Sequence, residues 1–134
     1  MNKTNMKNYA LLALRILLAA FYVMAATPKL MGNAEVVESF SRWGMPDKLY
    51  LLVGSMEMLG AIGLLIPRTV AWAAGGLILL MLGAAGTHIA HGEWSMLPLP
   101  VIPMLLLSLV GYMHCPWWIK GETTIEASKE AEAR

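Results

Sequence analysis

Two ionisable side chains, Arg15 and Glu57, stand inside long apolar runs of this sequence. A charge at such a position costs about 3 kcal/mol even on lenient insertion scales, so each predicts a partner within a bundle of spans. With a rise of about 1.5 Å per residue, Arg15 lies roughly 9 Å from the start of its run at Tyr9, and Glu57 roughly 13 Å from the end of its run at Ile66. Those depths permit an ion pair between the two segments. Gly54, Gly60 and Ala61 fall three or four residues from Glu57 and make a small-residue stripe, which places the carboxylate at a close helix contact. Arg15 shares its face with Leu11, Ala19 and Tyr22, so Tyr22 lines the same polar seam. The pair reads either as a structural lock that fixes helix register or as a proton-handling or ligand-binding carboxylate.

A second group gathers near the end of the third apolar run, where Met81, Ala84, Ala85, His88 and His91 share a helical face. His88 and His91, with Lys29 and Glu93, form an expected polar cluster at the mouth of the bundle. It is either a water-satisfied interfacial histidine or a site for proton transfer or for a polar ligand headgroup. A metal centre is not expected. The eleven methionines show no repeated spacing, and His114-Cys115 falls at the opposite membrane face from His88.

These residues need elements to hold them, and composition says which. Of the 134 residues 57% are apolar and 14% charged, and the mean hydropathy is +0.58. A soluble fold of this size would leave too much apolar surface in water, so the expected fold is an all-α bundle of four transmembrane helices in the lipid bilayer. The expected spans are residues 9–26, 49–66, 70–90 and 97–113. Residues 1–120 make a single transmembrane domain and 121–134 a charged tail. The first span should stop at Thr27-Pro28. Val36, Val37, Phe40 and Trp43 alternate with Glu35, Glu38, Ser39 and Arg42, which predicts a short amphipathic segment at the interface between the first two spans.

Pro67-Arg68-Thr69 is so short a link that the spans it joins must be antiparallel neighbours. Trp117, Trp118 and Lys120 read as an interfacial anchor. Lys3, Lys7, Arg68, Lys120, Lys129 and Arg134 outnumber Lys29, Arg42 and Lys48 on the other side, which puts both termini in the cytoplasm. Arg15 inside the first run argues against a cleaved signal peptide. The net charge of +1 is scattered and offers no surface suited to nucleic acid. The single cysteine, Cys115, excludes an intrachain disulfide or a two-thiol relay.

With Arg15, Pro28-Lys29-Leu30, Gly44-Met45-Pro46, Glu57, Met81-Leu82-Gly83-Ala84 and His88 in this order, the chain resembles the DoxX family over about Tyr9 to Met113. One departure is Ala25 or Ala26, where the family commonly has glycine before the lysine. The resemblance implies a four-helix protein of a cell membrane, such as the bacterial inner membrane, serving as a subunit of a quinone-linked redox or oxidative-stress assembly. It implies a quinone as cofactor and a redox protein as partner. The positions it carries over are Arg15, Lys29, Glu57 and His88. On this reading Glu57 and His88 move protons, while Arg15, Tyr22, Lys29 and His91 contact the ligand. No flavin, haem or Fe–S motif is present, so no covalently bound cofactor is expected. A non-catalytic membrane scaffold or assembly factor stands as the alternative, and a small proton-coupled transporter, which would require a homo-oligomer, as a third.

Overall fold

The computed structural model describes residues 2–114 and 126–134. Its elements are α1 (Lys3–Leu30), α2 (Ala34–Arg42), α3 (Leu49–Leu65), α4 (Val70–Ala90), a 3-10 turn (Trp94–Met96) and α5 (Pro98–Met113). The tail carries a helix over residues 126–132. The anchor expected at Trp117, Trp118 and Lys120 lies outside the described residues, as does Cys115.

Among the described residues, three helices are long and apolar enough to cross a membrane by length and composition: α1, α4, and α5 together with the turn before it. The fourth, α3, has 17 residues, at the short limit for a span. α1 packs most extensively on α3 and α4 on α5. The α3–α4 pair, joined at Pro67, completes an up-down-up-down order. Of the neighbouring pairs among α1, α3, α4 and α5, α1 and α5 touch least, so the ring is thinnest there. α2 lies across the end of the bundle where α1 and α4 finish, here called the α2 end.

The expected stop at Thr27-Pro28 is overturned, because α1 continues through Pro28 to Leu30. Proline withholds its N–H from the Met24 carbonyl, which usually ends or kinks a helix. Side chains reinforce the turn around that gap. The Thr27 hydroxyl donates to the Val23 carbonyl at 2.6 Å and the Lys29 ammonium to the Ala25 carbonyl at 2.9 Å. The helix then closes at Gly32, whose φ of 65° lets the Asn33 N–H reach back to the Pro28 carbonyl at 3.0 Å.

At the other end, α3 terminates against Pro67, which cannot donate to the Gly63 carbonyl. The Thr69 hydroxyl takes that place at 2.9 Å. Tyr22, Leu64, Leu77, Leu107, Val70 and Val110 are fully buried at the centre of the bundle. Large apolar side chains such as Leu17, Trp72 and Leu79 cover the outside, the inverse of a soluble protein and the surface lipid requires.

Candidate functional site

Arg15, Tyr22 and Lys29 follow one another at seven-residue intervals, close to two helical turns, and so form one stripe along α1. α3 lies against it. The Lys29 ammonium meets Glu57 at 2.9 Å to one carboxylate oxygen and 3.2 Å to the other. The Glu57 side chain is only 4% exposed, and that of Lys29 18%. Gly54 makes this approach possible, since a Cβ there would stand 2.8 Å from the Lys29 Cβ and 3.3 Å from the Ala26 carbonyl.

The ion pair expected between Arg15 and Glu57 is therefore not formed. Arg15 Nε instead donates to the Leu64 carbonyl at 2.7 Å. Long side chains on a helix lean toward its N-terminus, which carries the Lys29 head down to the level of Glu57 and the Arg15 head away from it. Arg15 then reaches the last turn of α3, where carbonyls have no helical donor and the helix dipole is negative. Two atoms of the stripe, Arg15 Nη2 and the Tyr22 hydroxyl, are buried without a hydrogen-bond partner among the described residues.

The second level sits at the α2 end. α4 closes at Gly92, whose φ of 69° turns the chain so that the Glu93 N–H bonds the His88 carbonyl at 2.8 Å. That turn folds the Glu93 side chain back onto α4. His88 Nδ1 and Glu93 Oε2 are 2.7 Å apart. Trp43 Nε1 donates to Glu93 Oε1 at 3.3 Å, and Arg42 Nη2 stands 3.6 Å from the same oxygen. One carboxylate thus ties α2 to the end of α4. The His88 hydrogen bond is the chief cause that holds the Glu93 carboxyl below its usual range; partial burial opposes it, while Trp43 and Arg42 reinforce it.

The Trp43 ring is edge-on to His88 at 5.4 Å and tilted over His91 at 6.4 Å, with Phe40 and Tyr50 behind it. Of the four residues expected to cluster here, His88 and Glu93 bond directly. His91 Nδ1 pairs with the Thr87 carbonyl of its own helix at 2.9 Å, and Lys29 belongs to the buried seam. Arg42 and Trp43 complete the cluster, although the sequence placed them only on the amphipathic segment. The usable signal was their position at the end of that segment, beside Gly44, which folds them toward the bundle.

An all-helical bundle with an apolar exterior, an ion pair within it and polar groups gathered at one end is an integral membrane protein. Residues 13–110 match the model of the DoxX-like family, and the chain belongs to that family. No curated protein and no solved structure matches it.

Proposed function

We propose that this protein is a membrane subunit of a quinone-linked redox assembly, in which the α2 end receives the quinone head and a partner protein supplies the electron-carrying centre. The observation that supports this most is the His88–Glu93 pair, 2.7 Å apart beside the Trp43 ring, which stands perpendicular to His88. Its donor and acceptor set fits a quinone head. An imidazole with a carboxylate behind it can take up and return a proton, and an aromatic ring offers a stacking surface. A bound quinone would supply two-electron, two-proton chemistry. The chain's own part is to orient the head and to move a proton at His88 Nε2, with Glu93 fixing the ring through Nδ1 and Glu57 as a deeper carboxylate. The excess of lysine and arginine at the terminal side supports placing the α2 end away from the cytoplasm.

The test is purification in nanodiscs followed by mass spectrometry of co-isolated small molecules and proteins. Wild-type protein is expected to carry quinone, and His88→Asn to lose most of it. Quinone-free wild-type protein, or a His88→Asn variant with undiminished quinone, contradicts the reading.

A scaffold role draws on a different observation, the Lys29–Glu57 pair, which is closed on itself inside the bundle and works as a lock between α1 and α3. A charge-swapped Lys29→Glu, Glu57→Lys variant that regains full abundance and full partner recovery, with no bound cofactor in either form, would favour that role.

A further inference from the structure

The stripe of α1 and the face of α3 opposite it enclose a seam whose hydrogen bonds do not balance. Lys29 and Glu57 satisfy each other toward the α2 end, and Arg15 Nε has the Leu64 carbonyl at the other. Between these two contacts, the Tyr22 hydroxyl and Arg15 Nη2 have no partner among the described residues. Both side chains are sealed from the surface, Tyr22 being 0% exposed and Arg15 7%. Most buried polar groups in folded proteins are paired, and an unpaired one carries its full desolvation cost. Two orphaned donors in one seam therefore ask for an acceptor.

The helices themselves offer none at that level. In the middle of α3 each carbonyl is taken by the N–H four residues on, and Ala61, which shares the α3 face of Glu57 and Leu64, has no polar side-chain atom. Both Glu57 oxygens are engaged by the Lys29 ammonium. The surroundings also limit what a guest can be. Ala19 and Ala26 share the face of Tyr22 on α1, and with Ala61 opposite they are buried side chains that stop at Cβ, a setting for a very small molecule. An anion is disfavoured by the Glu57 carboxylate in the same seam and by the negative end of the α3 dipole at Arg15. Water fits these limits, because it accepts from either donor and can donate onward to a carbonyl or carboxylate.

We propose that the seam between α1 and α3 is a binding site for held water, which accepts hydrogen bonds from the Tyr22 hydroxyl and from Arg15 Nη2. The water adds polar contacts between the two helices in the stretch where the stripe has none of its own. The inference is independent of the quinone reading and lies away from the α2 end.

The test is X-ray radiolytic footprinting of the full chain in nanodiscs, mixed into heavy-oxygen water immediately before exposure and mapped by mass spectrometry. Radicals formed from a water held in the interior oxidise the side chain beside it, even where bulk solvent has no access. Tyr22 is expected to be oxidised despite its burial and to carry the light oxygen isotope, because a held water exchanges slowly. Leu77 and Leu107, equally buried in the apolar centre, should stay unmodified. Tyr22→Phe, which keeps the ring, is expected to lower the apparent Tm, since the water loses a partner; removal of a true orphan would leave the Tm unchanged or raise it. An unoxidised Tyr22 overturns the inference even if Tyr22→Phe is destabilising, because the hydroxyl would then be bonded directly to Glu57. A heavy-isotope label at Tyr22, which means access by bulk water, overturns it as well. So does a Tyr22→Phe protein with a Tm equal to or above that of wild type.

Discussion

Glu57 and Glu93 are both held by cationic or hydrogen-bonding partners from neighbouring helices, yet they work under opposite conditions. Glu57 is buried against a single lysine that comes down one stripe of α1. Glu93 stands at the α2 end, with a quarter of its side chain exposed and three partners sharing it. In the first setting little water replaces a missing partner, so the pair acts as an all-or-none lock. In the second, water and neighbouring groups compensate, and the carboxylate stays free to titrate and rearrange. The same side-chain chemistry thus gives rigidity in one region and responsiveness in the other.

The largest effect should follow from breaking the lock on one side only. Glu57→Ala leaves the Lys29 ammonium without its counter-charge and is expected to cost about 3–5 kcal/mol, read as lost abundance and a lower apparent Tm in detergent. Replacing both residues by methionine should recover most of the loss. If Glu57→Ala is as stable as wild type, the seam is no lock. Gly54→Ala attacks the same contact by steric means, pushing a methyl group into Lys29 Cβ and the Ala26 carbonyl. It should cost about 1–3 kcal/mol in the same thermal assay.

The α2 end should respond locally and with a defined pH sign. The Glu93 carboxyl is held below its usual range by His88, so the tie it makes is intact above the ordinary carboxylate range and is lost as pH falls through the lowered value. Acidification below the ordinary carboxylate range should shift Trp43 fluorescence while global unfolding changes little. Glu93→Gln should give that altered signal already at neutral pH and remove its acid dependence. A Trp43 signal that ignores both changes would mean that Glu93 does not hold α2. The smallest effect belongs to Gly83→Ala, where an added Cβ meets nothing within 4 Å, and stability should stay within about 0.5 kcal/mol of wild type.

Much of the fold was legible because apolar runs in a membrane protein must become helices. The amphipathic segment was readable from its alternation, and the Pro67 turn from its shortness. The end of α1 was not, since a proline rule takes no account of the Thr27 and Lys29 side chains that reinforce the turn around it. That error had a consequence for the site. With Lys29 assigned to a loop, depth alone matched Arg15 to Glu57, and depth carries no information about which way a long side chain leans. The seven-residue spacing of Arg15, Tyr22 and Lys29 was the signal that could have shown the stripe. His88 and Glu93 were read together correctly because only five residues separate them. The partnership of Trp43 with Glu93 spans fifty residues and depends on how α2 folds back.

The stripe on α1 also bears on how the protein is made. α1 emerges from the ribosome before α3, carrying Arg15 and Lys29, while the carbonyl and carboxylate that receive them belong to α3. Alone in lipid, α1 would hold Arg15 without the Leu64 carbonyl, and Lys29 with only the Ala25 carbonyl of its own helix. Packing of α3 against α1 therefore relieves the burial cost of both cations. A single step of register between the two would rotate all three polar side chains by roughly 100° toward the acyl chains. The stripe thus favours a single register of α1 against α3 over its neighbours.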